Sequence, residues 1–417
     1  DEDKVNKNLF VNKSLSYTDI EADIAWELNL GLPKRYQFIY ISPHGVGAAA
    51  FMTLLYHCCD IFIRYSWGLT FDSKKRYCFY FQNLCDTKIK NQAINISECH
   101  LPCFNKFLFL LDTNKPILFG VRDPIGILKH CVGRDFSYAI NTKKELPIEF
   151  NLTFDYRCYL DFLRHIKTKI NFNFAGLKNT SSFFSQFLSK RINFNTINYI
   201  DMSEITPDKA FQTLSNLAKQ FSFPAPKKEM EYLCHVQEFK GYLRYLFPLK
   251  LYANKKDLEN AFSLHNIHNK KHYTIDKENS ITLLFCRLTT YNKNTVNLMK
   301  EIIYNDLSEH IGICISKKQY DLLQGDEDFF KKLKNYLIEF INEIKKAIDE
   351  GEKNLIKEEK LLEILRQNKD EREKLKSFYK DDINCIEGIK QTRPDIIASW
   401  KYYNEFEKMC EELDKKA

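Results

Sequence analysis

The sequence predicts an α/β protein, a parallel sheet flanked by helices and continued by a mostly helical C-terminal extension. Three observations predict it. Strand-length apolar runs alternate with helical segments across residues 35–225. The first such run, Tyr36–Ile41, meets a glycine-containing turn and then an apolar helical stretch lasting to Cys59. From Asp326 onward nearly every segment has helical spacing.

Each element follows from local pattern. Ser16 is placed to cap a helix over residues 15–30, where Ile20, Ile24 and Leu28 with nearby Trp26 give partial apolar periodicity, and Pro33 ends it. Tyr36–Ile41 reads as a buried strand. Tyr77–Phe81, Ala93–Ser97, Phe107–Leu111 and Pro116–Val121 read as further strands, the last leading into a helix from Ile125. Residues 153–169 and 180–190 read as helices and Ile197–Asp201 as a strand. A helix then starts near Pro207 and runs to about Phe221, before Pro224 and Pro226 break the chain. Beyond lie a helical piece at 228–246 and strand candidates Ser280–Arg287 and His310–Ser316. The dense, mixed-sign charge of residues 351–380 fits a solvated helix or helical hairpin. The ending Arg393–Tyr403, with Trp400 and Tyr403, reads as a helix docking back onto the body. The expected divisions are a helical lead-in (1–34), an α/β core (35–225), a mixed region (226–325) and a helical extension (326–417).

Composition excludes several classes. The 33 Phe, 23 Tyr and 3 Trp among 417 residues supply a large core, whereas 13 Gly and 11 Pro are too few for a collagen-like chain or a linker. No run approaches the ~20 apolar residues of a membrane-spanning helix. A net charge of +7 is mild for this length. It admits anionic substrates without predicting a nucleic-acid partner. The 13 cysteines form no four-ligand metal pattern, and buried thiols in a reducing compartment fit them best. No basic stretch followed by an apolar one marks a secretion leader. A cytoplasmic location, peripheral to the inner membrane at most, is expected.

Three segments carry chemistry. Ser42-Pro43-His44-Gly45-Val46-Gly47-Ala48-Ala49 leaves a strand and enters a helix, where free backbone N–H groups cradle phosphates. It lacks the Gly-Lys-Ser/Thr ending of a Walker loop and the glycine spacing of a dinucleotide fold, so an ordinary tight turn competes with the phosphate reading. Arg122 emerges at the end of the Pro116–Val121 strand, and crevices there bind ligands in α/β folds. Its guanidinium suits a phosphate, Asp123 suits a helix cap, and Lys129, His130 and Arg134 follow within three turns. A surface Arg-Asp turn is the competing reading. His100, in Glu98-Cys99-His100-Leu101-Pro102, sits after a short β-like segment, where a histidine can deprotonate a hydroxyl. Most histidines are structural or surface residues, and taken alone this one reads better as one of them.

The order and spacing of these segments resemble the sulfotransferase superfamily, whose members use a 3'-phosphorylated nucleotide donor. Pro43–Ala48 looks like its 5'-phosphate loop, and Val121-Arg122-Asp123-Pro124 like its 3'-phosphate motif. His130 stands where the family has a serine eight residues after that Arg. His100-Leu101-Pro102 resembles the His-Leu-Pro of cytosolic members, whose His is the general base. Tyr199–Asp201, Pro207 and Phe211–Phe221 resemble a later strand and helix. The resemblance covers residues 35–225 and implies a sulfotransferase-like, P-loop-type sheet. His44 replaces the usual loop Lys, and Ala48 and Ala49 replace the paired threonines, which implies altered donor chemistry or a degenerate site.

The whole chain, with its Arg393–Tyr403 ending, is also similar to a capsule-locus family of Campylobacter and related bacteria, in whose capsules O-methyl phosphoramidate decorates sugar hydroxyls. That resemblance implies a transferase moving a phosphoramidate-type group from a 3'-phosphorylated cytidine-type nucleotide to a sugar hydroxyl of capsular polysaccharide or its precursor. His100 would act as base and His44 would stabilise the transferred group. Ser42, Gly45, Val46, Gly47, Ala48 and Ala49 would cradle the diphosphate, and Arg122 and His130 would hold the 3'-phosphate. No metal is expected.

The alternatives are a glycan sulfotransferase using 3'-phosphoadenosine-5'-phosphosulfate, a glycosyltransferase, and a non-enzymatic or nucleotide-sugar-binding capsule assembly protein. The expected partners are the sugar acceptor and the nucleotide donor, with no nucleic acid and no membrane span; a homo-oligomer is compatible with the sequence. His265, His268 and His272 have suggestive spacing for a metal without a carboxylate partner. Lys74, Lys75 and Arg76 read better as a solvated turn than as an acceptor groove. Arg157 and Arg164 suit an anionic sugar or solvent equally.

Overall fold

In the computed structural model the described residues form two sheets. The structure describes residues 16–64, 72–97, 102–112, 114–133, 136–165, 197–237, 240–263, 274–290, 294–302, 306–383 and 387–415. The first sheet is parallel and contains β1 (Ile39–Ile41), β2 (Ile94–Ile96), β3 (Ile117–Val121) and β5 (Ile197–Asp201), in the order β2-β1-β3-β5. Ile39 pairs with Ile94 on one side and Ile117 on the other, and Ile117 pairs with Ile197. Every residue of β1, β2 and β3 is buried. Burial on both faces is what a parallel sheet covered by helices requires.

The two faces follow the period of two. Ile117, Phe119 and Val121 lie in one core with Ile39, Ile41, Ile94 and Ile96. Leu118 lies in the opposite core with Phe38, Tyr40 and Ile200. The second face is covered by the helices Ala48–Cys59 and Ala210–Phe221 and the 3-10 segment Lys228–His235. The first face is covered by the helices Ser73–Cys85 and Phe104–Phe109, and by the last helices of the chain. Those last helices bring Leu361, Leu365, Tyr379, Trp400 and Phe406 into its core. The result is a three-layer α/β/α arrangement with a mostly helical C-terminal region built into one layer.

The second sheet is mixed. It comprises β4 (Glu149–Asn151), β6 (Leu249–Ala253), β7 (Ile281–Arg287), β8 (Thr295–Asn297) and β9 (Ile311–Ser316), in the order β4-β6-β7-β9-β8. Only the β4–β6 pair is parallel. The helix Glu327–Lys353 covers this sheet with Phe329, Leu333, Leu337, Phe340, Ile344 and Ile348, an apolar stripe at helical spacing. Asp326 caps it by accepting from the Phe329 N–H. The helix Arg157–Arg164 shares that core, so residues 149–164, read from the sequence with the first sheet, pack with the second.

Several local readings are corrected. Tyr77–Phe81 is part of the helix Ser73–Cys85, which buries Tyr77, Tyr80, Phe81 and Leu84 at positions i, i+3, i+4 and i+7. Phe107–Leu111 likewise belongs to or follows the helix Phe104–Phe109, whose Phe104, Phe107 and Leu108 are buried. At 15–30 the α-helix is only Ala22–Glu27. It buries Ala22, Ala25 and Trp26 and leaves Ile24 and Leu28 exposed, so of the expected apolar positions Trp26 faces inward and Ile24 and Leu28 do not. Arg76 is fully buried against the rings of Phe104 and Phe107, which removes it from any solvated turn. The helix expected at 180–190 lies outside the described residues.

Phe340 packs against Phe150, Tyr156 and Phe285 and is fully buried. Phe340→Ala is expected to lower the stability of the second sheet by about 3–5 kcal/mol in urea denaturation. A loss below about 1 kcal/mol would show that this helix is not its main cover.

Candidate functional site

The topology selects one edge of the parallel sheet. The chain passes from β1 to β2 on one side and from β3 to β5 on the other, so β1 and β3 form the switch point at whose carboxyl ends α/β folds place their ligand crevices. The loop 42–47 follows β1, Arg122 follows β3, and the turn Met202–Ile205 follows β5. All three approach one another there.

Glycine permits the approach at two positions. Gly45 has φ +85°, and a side chain on it would come within 3.5 Å of His130 and 3.4 Å of Ile127. Gly47, the N-cap of the helix Ala48–Cys59, has φ +77°, and a side chain on it would meet Ile205 at 3.0 Å. The first turn of that helix receives no side-chain cap from Gly47, which leaves its N–H groups at the crevice.

The candidate residues divide by orientation. Ser42 is buried, and its hydroxyl donates to Asn95 Oδ1 at 2.6 Å, tying the loop to β2. Val46 and Ala48 are buried in the core, so only their backbone is available to a ligand. His44, Gly45, Gly47 and Ala49 are half-buried, as are Arg122 and His130. His100 lies outside the described residues, four positions beyond the end of β2.

Arg122 joins the two loops. Its guanidinium donates to the Gly45 carbonyl at 2.9 Å and lies over Gly126, where a side chain would meet Nε at 2.8 Å. Burial pushes the guanidinium below its ordinary pKa, and the carboxylates of Glu358, Asp123 and Asp201 oppose that shift. Lys129 is paired with Glu358 at 2.6 Å.

The C-terminal segment forms the rest of this edge. Asp123 Oδ1 caps the following helix at the Ile125 N–H, 2.9 Å, while Oδ2 accepts from the Tyr402 N–H at 2.9 Å and the Tyr403 N–H at 3.3 Å. Burial raises the Asp123 pKa, and these backbone N–H bonds hold it down in part. Asp201, only 5% exposed, accepts from Trp400 Nε1 at 2.9 Å and from the Ser203 N–H at 2.8 Å. Arg393 donates to the Tyr199 carbonyl and pairs with Glu204 and Asp395. Tyr379 donates to the Pro124 carbonyl. The sequence signalled that this segment docks; it gave no sign that the docking point is the strand ends beside Arg122.

A groove of about 580 Å³ runs beside the end of β5, lined among others by Asp201, Glu204, Asp208, Lys209, Arg393 and Asp395. The other charged candidates have local partners: Lys74 pairs with Asp23 and Glu27, Arg157 with Asp155, and Arg164 with Glu350. Among the described residues no group of three or more His, Cys, Asp or Glu is placed to hold a metal ion. His265, His268 and His272 lie outside them. No helix among the described residues is long and apolar enough to cross a membrane.

Comparison with known proteins gives one match. The chain belongs to the DUF2972 family, described as a protein of unknown function, whose model matches residues 199–413, about half of the chain. The matched region runs from within β5 through the later strands of the second sheet to the helices that dock at Asp123 and Asp201. No curated protein and no solved structure matches the chain.

Asp123→Asn is expected to retain the cap to Ile125 but to set an NH2 group against the Tyr402 and Tyr403 N–H donors. That costs about 1–3 kcal/mol and should raise hydrogen exchange at residues 400–404. Unchanged exchange there would show that the carboxylate does not hold the segment.

Proposed function

We propose that this member of the DUF2972 family is a nucleotide-dependent group transferase with a sulfotransferase-like core. It moves a phosphoramidate-type group from a 3'-phosphorylated, cytidine-type nucleotide to a sugar hydroxyl of capsular polysaccharide or its precursor, in the cytoplasm. The observation that carries the reading is the Arg122–Gly45 bond, which ties an arginine to a strand–helix turn across the β1/β3 crevice. Backbone N–H groups of Gly47, Ala48 and Ala49 at the helix start suit the 5'-diphosphate side. Arg122 and His130, the latter close to Gly45, suit the 3'-phosphate.

In this reading His100, four positions after β2 in the sequence, accepts the sugar hydroxyl proton. The freed oxygen attacks phosphorus in line with the bridging oxygen, which leaves on the nucleotide. His44 stabilises the charge that develops on the transferred group. Carboxylates lining the groove beside β5 offer acceptors for sugar hydroxyls. Replacement of the family's Lys and Thr by His44, Ala48 and Ala49 favours phosphoramidate over sulfonate transfer.

Two experiments test the reading. Titration calorimetry of Arg122→Ala should show binding of cytidine 3',5'-bisphosphate weakened about tenfold or more, with cytidine 5'-monophosphate little affected. Equal loss for both nucleotides counts against a 3'-phosphate site at Arg122, and a preference of the wild type for the adenosine bisphosphate returns the reading to sulfonate transfer. His100→Ala should reduce turnover by about 10²–10⁴-fold while retaining nucleotide affinity; near-normal turnover removes His100 as base.

A further inference from the structure

The charge balance at the Arg122 edge does not favour an anion as the structure stands. The Arg122 guanidinium lies over Gly126, and Lys129 follows three residues on along the same helix. The carboxylates of Glu358, Asp123 and Asp201 bear electrostatically on Arg122. A phosphate group entering beside it meets their repulsion, with desolvation added. One carboxylate must withdraw for the anion to be held well.

The three carboxylates are not equally fixed. Asp123 accepts three backbone N–H bonds, from Ile125, Tyr402 and Tyr403. Asp201 accepts from the Ser203 N–H and from the Trp400 indole. Moving either one strands buried donors. Glu358 differs: among the described residues its recorded polar contact is the single ion pair with Lys129 at 2.6 Å, between side chains 15% and 30% exposed. It stands in the first turn of the helix Glu358–Gln367, whose own anchors are the fully buried Leu361 and Leu365. The side chain is therefore free to swing to solvent while the helix stays in place.

We propose that Glu358 is an internal occupant of the anion site: its carboxylate is paired with Lys129 in the absence of donor, and the donor's phosphate displaces it and takes over Lys129 together with Arg122. This rests on the transferase reading above and adds to it a gating residue and a second phosphate-binding cation, Lys129. Displacement opposes binding, so Glu358 sets affinity.

The test is calorimetry of cytidine and adenosine 3',5'-bisphosphates with the wild-type chain, Glu358→Gln, Glu358→Ser and Lys129→Gln, each checked by circular dichroism. Removing one opposing charge should tighten binding about tenfold in both Glu358 variants, and Lys129→Gln should weaken it several-fold. Hydrogen exchange at residues 358–361 of the wild type should rise on nucleotide binding. Wild-type binding that is unchanged or weaker in both folded Glu358 variants overturns the gate and leaves the nucleotide reading standing. Absence of binding in the wild type and in every variant overturns the nucleotide reading and the gate with it.

Discussion

Two buried carboxylates at adjacent strand ends decide where the last part of the chain goes. A carboxylate removed from water is costly unless N–H donors surround it. Asp123 and Asp201 obtain theirs from Tyr402, Tyr403 and the Trp400 indole. That requirement brings residues more than 190 positions away in sequence onto the edge of the parallel sheet. The apolar contacts of Tyr379, Trp400, Tyr403 and Phe406 then complete the first core. The polar contacts give the register, and the apolar ones supply most of the burial.

That docking shapes what the edge can bind. Arg122 is held by the Gly45 carbonyl, and the carboxylates of Glu358, Asp123 and Asp201 offset part of the cost of burying its charge. Its charge is largely balanced within the protein. A ligand there competes with internal groups rather than filling a field that was waiting for it, and affinity depends on how readily those groups exchange. A net charge of +7 spread over 417 residues contributes little to this, because solvent screens charges beyond a Debye length of about 8–10 Å.

The legible part of the fold was the part with unambiguous local pattern. β3 and β5 stood out as strand-length runs leading to Arg122 and Asp201, and the chain from Asp326 onward as helix. Ser73–Cys85 was misread because Tyr and Phe favour strands locally, although its buried positions repeat at helical spacing; tertiary packing overrode propensity. β4 and β6 left no mark because Glu149–Asn151 has three residues and pairs with a strand about a hundred positions later, a contact that no local pattern encodes. At the candidate site, the glycines and Arg122 could be picked out by residue type and spacing. The inward turn of Ser42 toward Asn95 and the arrival of Glu358 beside Lys129 are products of three-dimensional packing alone.

The account stands or falls on whether the carboxyl edge of the parallel sheet receives a 3'-phosphorylated nucleotide. A crystal structure of the chain with cytidine 3',5'-bisphosphate tests this most directly. The expected result is the 3'-phosphate within hydrogen-bonding distance of the Arg122 guanidinium, the 5'-phosphate at the N–H groups of residues 47–49, and the Glu358 carboxylate turned away from Lys129. A nucleotide bound elsewhere, with Lys129 still paired with Glu358, would contradict it.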